Sequence, residues 1–436
     1  MKNSHEGTKT RRKAKNVGSP FHADAGAAES SMRATGKPNP LRAFVPSCET
    51  KTLTPKLRFP EFRDGPGWDA KTLANACDMQ AGKFVRATDI KDQPASDLFP
   101  CYGGNGLRGY TSTHTHEGVY PLVGRQGALC GNVKLCTGKF HATEHAVVAT
   151  PKKGVEVRWL YYALDLLNLN RFATGQAQPG LSIDVLEKVA LPLPKQVTEQ
   201  HKIASCLSSL DDLIGAESQK LDALKTHKKG LMQQLFPREG ETRPRLRFPE
   251  FRKVGEWGVM PLVKAAENLD NRRRPITSSD REAGDVPYYG ASGIVDYVEG
   301  FIFDENLLCV SEDGANLVAR TYPIAFPISG KTWVNNHAHV LRFANPCTQK
   351  FVEVYLNSIK LDDFITGMAQ PKLNKTMLDK IPIPYPKVAE QQRIASCLSS
   401  LDDLIAAQSD KIDALKTHKR GLMQQLFPFT EEQNTI

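Results

Sequence analysis

The sequence feature that most constrains the fold is a 39-residue segment that occurs twice. Residues 199–237 and 390–428 are identical at 32 of 39 positions, so the chain contains two copies of one element. The heptapeptide L-R-F-P-E-F-R also recurs ahead of each copy, at 57–63 and 246–252. The chain is therefore a tandem duplication in which each repeat carries a module followed by a constant segment.

The two modules that precede the constant segments have diverged until only a few landmarks remain in the same order. These landmarks are a Tyr-Gly pair at 102–103 and 289–290, a His-Ala pair at 145–146 and 337–338, and G-x-A-Q-P at 175–179 and 367–371. One fold used twice with unlike surfaces is typical of two recognition tasks joined by a constant scaffold. Short β-branched and aromatic runs between Gly, Asn and Asp turns predict an α+β fold for each module.

Apolar residues in the constant segment are spaced four and three apart, which is the pattern of a coiled-coil seam. Prolines on both sides of each copy predict where the helix begins and ends. An exposed seam needs a partner, and the matching seam in this chain is the other copy. Because the first helix ends close to the second module, the helices are predicted to pair antiparallel as a pseudo-twofold rod with one module at each end. The predicted seam consists of Ile203, Leu207, Leu210, Ile214, Leu221, Leu224, Leu231 and Leu235 in the first copy, and Ile394, Leu398, Leu401, Ile405, Ile412, Leu415, Leu422 and Leu426 in the second.

Four polar residues, Glu217, Lys228, Gln408 and Lys419, occupy seam positions. Single polar residues in a seam often fix its register, although these four could equally lie at a frayed or exposed turn. With these helices the chain divides into a disordered basic N-terminal tail (1–54), a first module (55–198), a first helix (199–237), a second module (238–389), a second helix (390–428) and a C-terminal tail (429–436).

The charge and the cysteines limit the class of protein. The net charge is +9, but residues 1–51 hold ten Lys or Arg against four acids, while residues 264–389 hold fourteen against fifteen. Composition alone therefore gives little support for DNA binding. Nine cysteines without a C-x-x-C pair predict reduced core thiols instead of disulfides or zinc ligands. The sequence has no run long enough to span a bilayer and no secretory signal, which predicts a cytoplasmic protein away from membranes.

The order of motifs resembles that of the specificity subunits of type I restriction-modification systems. L-R-F-P-E-F, Y-G-x-x-G, G-x-x-Q-P, P-x-P-x-x-x-E-Q and the long helix are all present twice, between Pro55 and Pro428. The resemblance implies two target recognition domains, each reading half of a bipartite double-stranded DNA sequence, with the helices as spacer. It also implies two methyltransferase subunits as partners and two restriction subunits in the full complex. S-adenosylmethionine, ATP and Mg would bind those partners, and this chain would bind no cofactor.

The motifs that are missing agree with a non-catalytic role. The sequence lacks a P-loop, an N-P-P-Y or D-P-P-Y tetrapeptide and an acidic nuclease cluster. We therefore predict no catalytic residues. The glycines of 103–106 fit a turn better than a phosphate cradle, and the paired histidines lack the further ligands that a metal site needs. A second interpretation is a coiled-coil scaffold that presents two modules for ligands other than DNA.

Specific reading of DNA requires side chains that offer paired donors and acceptors to base edges, mainly from loops. Gln178 and Gln370 recur in both modules, which favours a structural or phosphate-binding role for them. Asn335 and Asn336 are predicted to occupy in the second module the places of Arg125 and Gln126 in the first. These four residues differ between the modules and fit sequence reading better, although each could be a solvated surface residue. The complete set of candidates is Arg125, Gln126, Gln176 and Gln178 in the first module and Arg272, Arg273, Arg274, Asn335, Asn336, Gln370 and Lys372 in the second.

Overall fold

The computed structural model describes residues 53–127, 129–175, 179–238, 240–367 and 370–428. Most of the predicted tail at 1–54, the tail at 429–436, and the candidates Gln176 and Gln178 lie outside these residues. The described part contains helices and strands whose order repeats, which confirms the α+β class and the tandem arrangement.

The first repeat contains eight strands and four α-helices within the described residues. The strands are β1 (Asp69–Thr72), β2 (Cys77–Ala81), β3 (Phe99–Gly103), β4 (Gly106–Thr111), β5 (His116–Gly124), β6 (Val133–Ala142), β7 (Ala146–Pro151) and β8 (Ala190–Leu193). The helices are α1 (Leu73–Ala76), α2 (Val157–Leu166), α3 (Ile183–Leu186) and α4 (Val197–Leu235).

The second repeat follows the same order with two of its strands interrupted. Its strands are β9 (Gly258–Pro261), β10 (Glu267–Asn268), β11 (Ala283–Gly290), β12 (Gly293–Val298), β13 (Phe303–Asp304), β14 (Leu307–Ser311), β15 (Ala325–Ile328), β16 (Lys331–Val334), β17 (Ala338–Arg342) and β18 (Pro382–Tyr385). Its helices are α5 (Leu262–Ala265), α6 (Asn316–Ala319), α7 (Pro346–Ser358), α8 (Lys375–Lys380) and α9 (Val388–Leu426).

The sheets of the two modules share one pairing scheme. Module 1 has a six-stranded sheet in the order β2-β7-β5-β6-β3-β4, and module 2 has two four-stranded sheets, β10-β17-β14-β15 and β12-β11-β16-β13. The Tyr-Gly landmark ends a strand that lies parallel to a later one, with Tyr102 opposite Ala142 and Tyr289 opposite Val334. A small antiparallel pair, β1 with β8 and β9 with β18, joins the start of each module to its end.

The two long helices, α4 and α9, are antiparallel, as the sequence predicts. Each has 39 residues and begins two residues before the predicted start, so each is about 58 Å long at ~1.5 Å per residue. Ile203 near the start of α4 shares a hydrophobic core with Leu426 at the end of α9 and with module 1. Leu235 at the end of α4 shares the core of module 2 with Ile394 near the start of α9. One module is therefore packed around each end of the rod.

The seam is most deeply buried where the modules cover it. Ile203, Leu207 and Leu235 of α4 are at most 1% exposed, and the seam residues of α9 that are equally well covered are Ile394, Leu398 and Leu426. Ile412 is 4% exposed, while the remaining predicted seam residues are partly buried. Two helices alone cannot enclose their facing side chains, so the middle of the rod is the less protected part. The partly buried seam residues are Leu210, Ile214, Leu221, Leu224, Leu231, Leu401, Ile405, Leu415 and Leu422.

The polar residues of the seam form contacts between the helices. Lys228 binds Asp402, and Lys419 binds Asp211 at 2.6 Å. The second copy follows the first by 191 residues, so these two ion pairs are pseudo-symmetry equivalents. Both fix the same antiparallel alignment, which confirms that these positions mark the register.

The pair at the centre of the rod breaks this symmetry. Glu217 and Gln408 are equivalent residues that meet across the pseudo-twofold axis, and Gln408 Nε2 donates to Glu217 Oε2 at 2.6 Å. Hydrogen bonds from Lys411 and Gln408 lower the pKa of Glu217. Two glutamates here would repel each other, whereas one glutamate and one glutamine supply an acceptor and a donor. This is one of the seven differences between the constant segments, and it makes the two helices complementary.

Each constant segment is fixed to its module by an ion pair with the L-R-F-P-E-F-R heptapeptide. Arg58 donates to both carboxylate oxygens of Glu199, at 2.7 and 2.8 Å, and Arg247 binds Glu390 in the same way. The side chains of the first pair are 6% and 1% exposed. Trp68 Nε1 also donates to Glu199, at 3.1 Å. The E-Q sequence at the start of each helix is therefore an attachment site for the module.

The glutamine that follows this glutamate binds the body of the module. Gln200 accepts from the backbone nitrogen of Glu156 at the start of α2 and donates to the carbonyl of Pro194. Gln391 accepts from Thr348 in α7 and donates to the carbonyl of Pro386. Both glutamines are at most 1% exposed, so the orientation of each long helix relative to its module is fixed by buried hydrogen bonds.

Two further observations concern the cysteines and the length of the helices. The eight cysteines of the described residues are free thiols, five of them buried. In the part of the chain that the structure describes, each helix is too short or too polar to cross a bilayer.

Candidate nucleic-acid interface

Backbone hydrogen bonds gather several loops of module 1 into one cluster, called here loop cluster 1. Gly82 N donates to Ala146 O, and Lys83 N donates to Ala142 O, so the loop after β2 holds both ends of the turn between β6 and β7. Arg125 N donates to His145 O in the same turn. Loop cluster 1 consists of residues 82–86, 103–104, 125–127, 143–145 and 179–181.

Module 2 repeats this arrangement in loop cluster 2. The bond from Arg274 N to Val334 O is the counterpart of the bond from Lys83 N to Ala142 O. In the same way, the bond from Glu312 N to His337 O is the counterpart of the bond from Arg125 N to His145 O. The equivalent segments define loop cluster 2 as residues 273–277, 290–292, 312–314, 335–337 and 370–373. A shared backbone frame therefore presents different side chains in the two modules.

The frame corrects the correspondence between candidates that the sequence suggests. Asn335 and Asn336 are not the counterparts of Arg125 and Gln126, because Asn335 N donates to Tyr289 O as Thr143 N donates to Tyr102 O. The counterparts of Arg125 and Gln126 are Glu312 and Asp313, since Leu373 N donates to Glu312 O as Leu181 N donates to Arg125 O. One position in the frame thus carries a cation in module 1 and an anion in module 2.

Arg125 is the candidate whose side chain has unused hydrogen-bonding capacity. It is partly buried, and its Nε is shielded from solvent without a hydrogen-bond partner among the described residues. A shielded donor without an acceptor costs roughly 1–3 kcal/mol. Gln126 beside it is exposed. The terminal nitrogens of the Arg125 guanidinium also form no hydrogen bond with the described residues, so they, and not the shielded Nε, are available to an acceptor on another molecule.

Arg273 is held inside module 2. Its guanidinium donates to Glu312 at 2.6 Å and to the carbonyl of Ala338 at 2.8 Å, and it lies 3.4 Å from Asp270. The side chain is 13% exposed. With its donors used by the protein, Arg273 has a structural role, and we leave it out of the proposed interface.

A buried histidine completes this charged network. His339 contacts Asp270 Oδ2 at 2.6 Å through Nδ1 and the carbonyl of Leu373 at 2.7 Å through Nε2. Burial acts to raise the pKa of Asp270, but the hydrogen bond and charge of His339 lower it overall. Asp270, Glu312 and His339 lie close enough to hold a metal ion, with ligand atoms within 4.8 Å. The Arg273 guanidinium already supplies a cation to both carboxylates, so the cluster fits an ion-pair network better than a metal site.

The other candidates in module 2 differ in how available they are. Arg272 packs over the ring of Phe303 and lies 3.3 Å from Glu305, and Asn335 is 7% exposed and accepts from His337 N. Lys372 forms an ion pair with Glu312 at 3.2 Å but remains half exposed. Arg274, Asn336 and Gln370 are exposed. Loop cluster 2 therefore offers Arg274, Asn336, Gln370 and Lys372 to a ligand.

Sequence reasoning missed three residues of loop cluster 1, namely Lys83, Phe84 and Arg86. All three are exposed on the loop after β2. They lie in a segment without helical or strand periodicity, and the modules have diverged too far there for a direct alignment. Lys83 shares a backbone position with Arg274 of the predicted Arg272–Arg274 run, but this equivalence is seen only in the hydrogen bonds of the fold.

Comparison with known proteins agrees with the duplicated frame. The sequence model of the type I restriction modification DNA specificity domain matches residues 67–226 and 255–417. The type I restriction enzyme EcoprrI specificity subunit of Escherichia coli is 42% identical over 144 residues, which are 33% of this chain and 36% of that protein. A putative type I specificity subunit of Mycoplasma genitalium is 21% identical over 412 residues, covering 88% of this chain and 99% of the relative.

Solved structures show the same architecture. The crystal structure of a type I restriction-modification S subunit from M. genitalium aligns with a TM-score of 0.60 at 17% identity, over 87% of this chain and all of that one. The chain spans only 36% and 38% of the length of two of its more similar relatives, from E. coli and Haemophilus influenzae. The two domain matches nevertheless cover most of the sequence, one in each repeat. The chain belongs to the family of type I restriction-modification DNA specificity domains and carries that domain twice.

Proposed function

We propose that the chain is the DNA specificity subunit of a type I restriction-modification complex, in which each module binds one half of a bipartite DNA sequence. The observation that carries this proposal is the shared frame with unlike side chains. One frame position holds Arg125 in module 1 and Glu312 in module 2. Arginine pairs with guanine, whereas Glu312 is held by Arg273 and leaves the exposed amides of Asn336 and Gln370, which suit adenine, to face a ligand. The two loop clusters are therefore suited to different sequences.

The rod holds the two modules at a fixed distance from each other. Two half-sites read from one face of B-DNA lie one helical turn apart, ~34–36 Å, or a multiple of it. The paired helices are about 58 Å long at ~1.5 Å per residue, and each end is sealed into a module core. Such a rod is long enough to span one turn of the DNA. The base pairs between the two half-sites are then contacted by neither module.

The outer faces of the helices are suited to two identical protein partners. Leu213 and Leu404 are equivalent residues outside the seam that are 41% and 55% exposed. Exposed leucines repeated by a pseudo-twofold axis form two similar apolar contacts. We propose that each helix docks one methyltransferase subunit there, and that two restriction subunits join the full complex. In this proposal S-adenosylmethionine, ATP and Mg bind those subunits, and the present chain has no catalytic group.

Selection from a random duplex library tests the DNA assignment. The chain, assembled with its methyltransferase partner, is expected to enrich one asymmetric sequence with two fixed parts separated by a constant number of unspecified base pairs. Exchanging module 2 for that of another family member should replace one part and leave the other. Recovery of no bipartite sequence would refute the proposal and favour a scaffold that presents modules for other ligands.

Replacing Leu213 or Leu404 with aspartate tests the docking surface. Each leucine buried at an interface contributes ~1.5–3 kcal/mol, so one change should weaken one of the two partner sites at least about 10-fold. Native mass spectrometry should then show complexes with one methyltransferase subunit for each single variant and none for the double variant. Val263→Asp is the matched control, because Val263 is 52% exposed and belongs to α5 of module 2, outside the two long helices. Two bound subunits in the double variant would place the docking surface elsewhere.

A further inference from the structure

The loop after β2 presents an aromatic ring between two cations. Phe84 is 71% exposed, the highest value among the large apolar side chains of the described residues. Lys83 and Arg86 are also exposed, and neither side chain forms a hydrogen bond or ion pair within the described part of the chain. Isolated exposed apolar residues are common on protein surfaces, so the meaning of this one depends on how the loop is held.

The loop is held rigidly on both sides of Phe84. Gly82 N donates to Ala146 O at 3.0 Å and Lys83 N to Ala142 O at 2.8 Å. A Cβ at Gly82 would lie 2.1 Å from Ala142 O, so only glycine permits this close approach. Val85, the next residue after Phe84, is buried. The ring therefore protrudes from a backbone that is already ordered, so binding a ligand does not incur the entropic cost of ordering this loop.

Module 2 has the same loop with the same kind of chemistry. In both modules a short 3-10 turn follows, Ala87–Asp89 after Arg86 and Ser278–Asp280 after Thr277, and the residue before it has φ −66° in each. Lys83 therefore corresponds to Arg274, and Phe84 corresponds to Pro275. Both pairs are exposed. Each diverged module thus presents a cation followed by an apolar ring, and the two rings differ in size.

The segment that carries Phe84 and the segment that carries Arg125 are held by the same turn. The turn at 143–145 links them, because Arg125 N donates to His145 O while Gly82 N donates to the next residue, Ala146. A guanidinium with unused donors, an apolar ring and two unpaired cations therefore lie in loop cluster 1. Guanine edges, thymine methyl groups and phosphates are the DNA groups that such side chains bind.

Resting on the proposed function, we propose that Phe84 contacts the 5-methyl group of a thymine in the major groove of the half-site bound by module 1. Lys83 and Arg86 bind the adjacent phosphates, and Arg274 with Pro275 forms the corresponding contact in module 2. The major groove is favoured because a loop that continues into a 3-10 turn fits a groove ~12 Å wide better than one of ~6 Å.

Replacing each thymine of the selected sequence by deoxyuridine, which removes only the methyl group, tests this contact. With the wild-type chain in complex with its methyltransferase partner, one such replacement in the module 1 half-site should weaken binding roughly 3- to 10-fold. Phe84→Ala should weaken binding of the thymine-containing duplex and abolish the difference between thymine and deoxyuridine. Lys83→Ala should leave that difference intact and reduce the slope of log affinity against log salt by ~0.9.

Controls separate this inference from the proposed function. Val263→Ala removes an exposed apolar side chain outside the loop clusters and should bind both duplexes as the wild type does. An unchanged melting temperature of Phe84→Ala shows that the fold is intact. The inference is overturned if no thymine of the half-site shows methyl dependence, or if Phe84→Ala keeps that dependence. In either case bipartite selection by the wild-type chain would leave the proposed function standing.

Discussion

Replacing Glu199 with alanine is expected to lower the free energy of unfolding by about 3–5 kcal/mol, because it leaves a buried guanidinium without its anion. Arg58 is bound by both oxygens of Glu199, and the two side chains are 6% and 1% exposed. Trp68 Nε1 would lose its acceptor in the same variant. Urea denaturation followed by tryptophan fluorescence measures the effect, since Trp68 lies in the core of module 1.

The pseudo-symmetry of the chain supplies matched controls. Glu390→Ala breaks the equivalent pair with Arg247, but Trp257 Nε1 has no hydrogen-bond partner among the described residues, so its cost should be smaller by about 0.5–1.5 kcal/mol. Glu61→Ala removes an ion pair with Lys202 whose side chains are 45% and 51% exposed, so solvent screens the pair and its loss should cost far less than the loss of the buried one. Equal losses for Glu199→Ala and Glu61→Ala would show that burial does not set the strength of the attachment.

The sequence predicts the helical rod well because the information for it is local and repeated. A heptad pattern defines both seams, and prolines bracket both helices. Because the connection between the first helix and module 2 is short, the two helices can pair only in antiparallel directions. The polar residues at the seam, such as Lys228 and Lys419, then fix the register through ion pairs. The helix starts differ by two residues from the prediction, because Val197 and Thr198 already belong to the first turn ahead of the Glu-Gln pair at 199–200.

The candidate interface is predicted less well because it depends on distant parts of the chain. The Arg272–Arg274 run is one basic segment in the sequence, yet Arg273 faces inward. Its partners Glu312, just after β14, and Ala338, in β17, lie 39 and 65 residues away along the chain. The equivalence of Arg125 and Glu312 follows from backbone hydrogen bonds that no alignment of such diverged modules would show. Landmarks such as Tyr102 and Tyr289 identify the shared backbone frame of the two modules. They do not predict which side chains that frame exposes.

Replacing Arg125 with alanine is expected to reduce discrimination at one base pair of the module 1 half-site by about 1–3 kcal/mol, roughly 5- to 160-fold. The reason is that the terminal nitrogens of Arg125 form no hydrogen bond within the described part of the protein, whereas Glu312, at the equivalent position, is paired with Arg273. Competition binding with duplexes that differ at single positions measures the change for the chain in complex with its methyltransferase partner.

The two half-sites give this experiment its internal control. A base-reading role for Arg125 requires that preferences in the module 2 half-site stay as in the wild type, and that the salt dependence of binding stays nearly the same. Loss of affinity for every duplex alike, with a smaller salt dependence, would instead assign Arg125 to a phosphate. Arg125→Lys separates the two roles further, because lysine keeps the charge that a phosphate needs and loses the planar, two-donor geometry that matches guanine. A base-reading Arg125 therefore predicts that Arg125→Lys discriminates nearly as poorly as Arg125→Ala while binding nonspecific DNA as well as the wild type does.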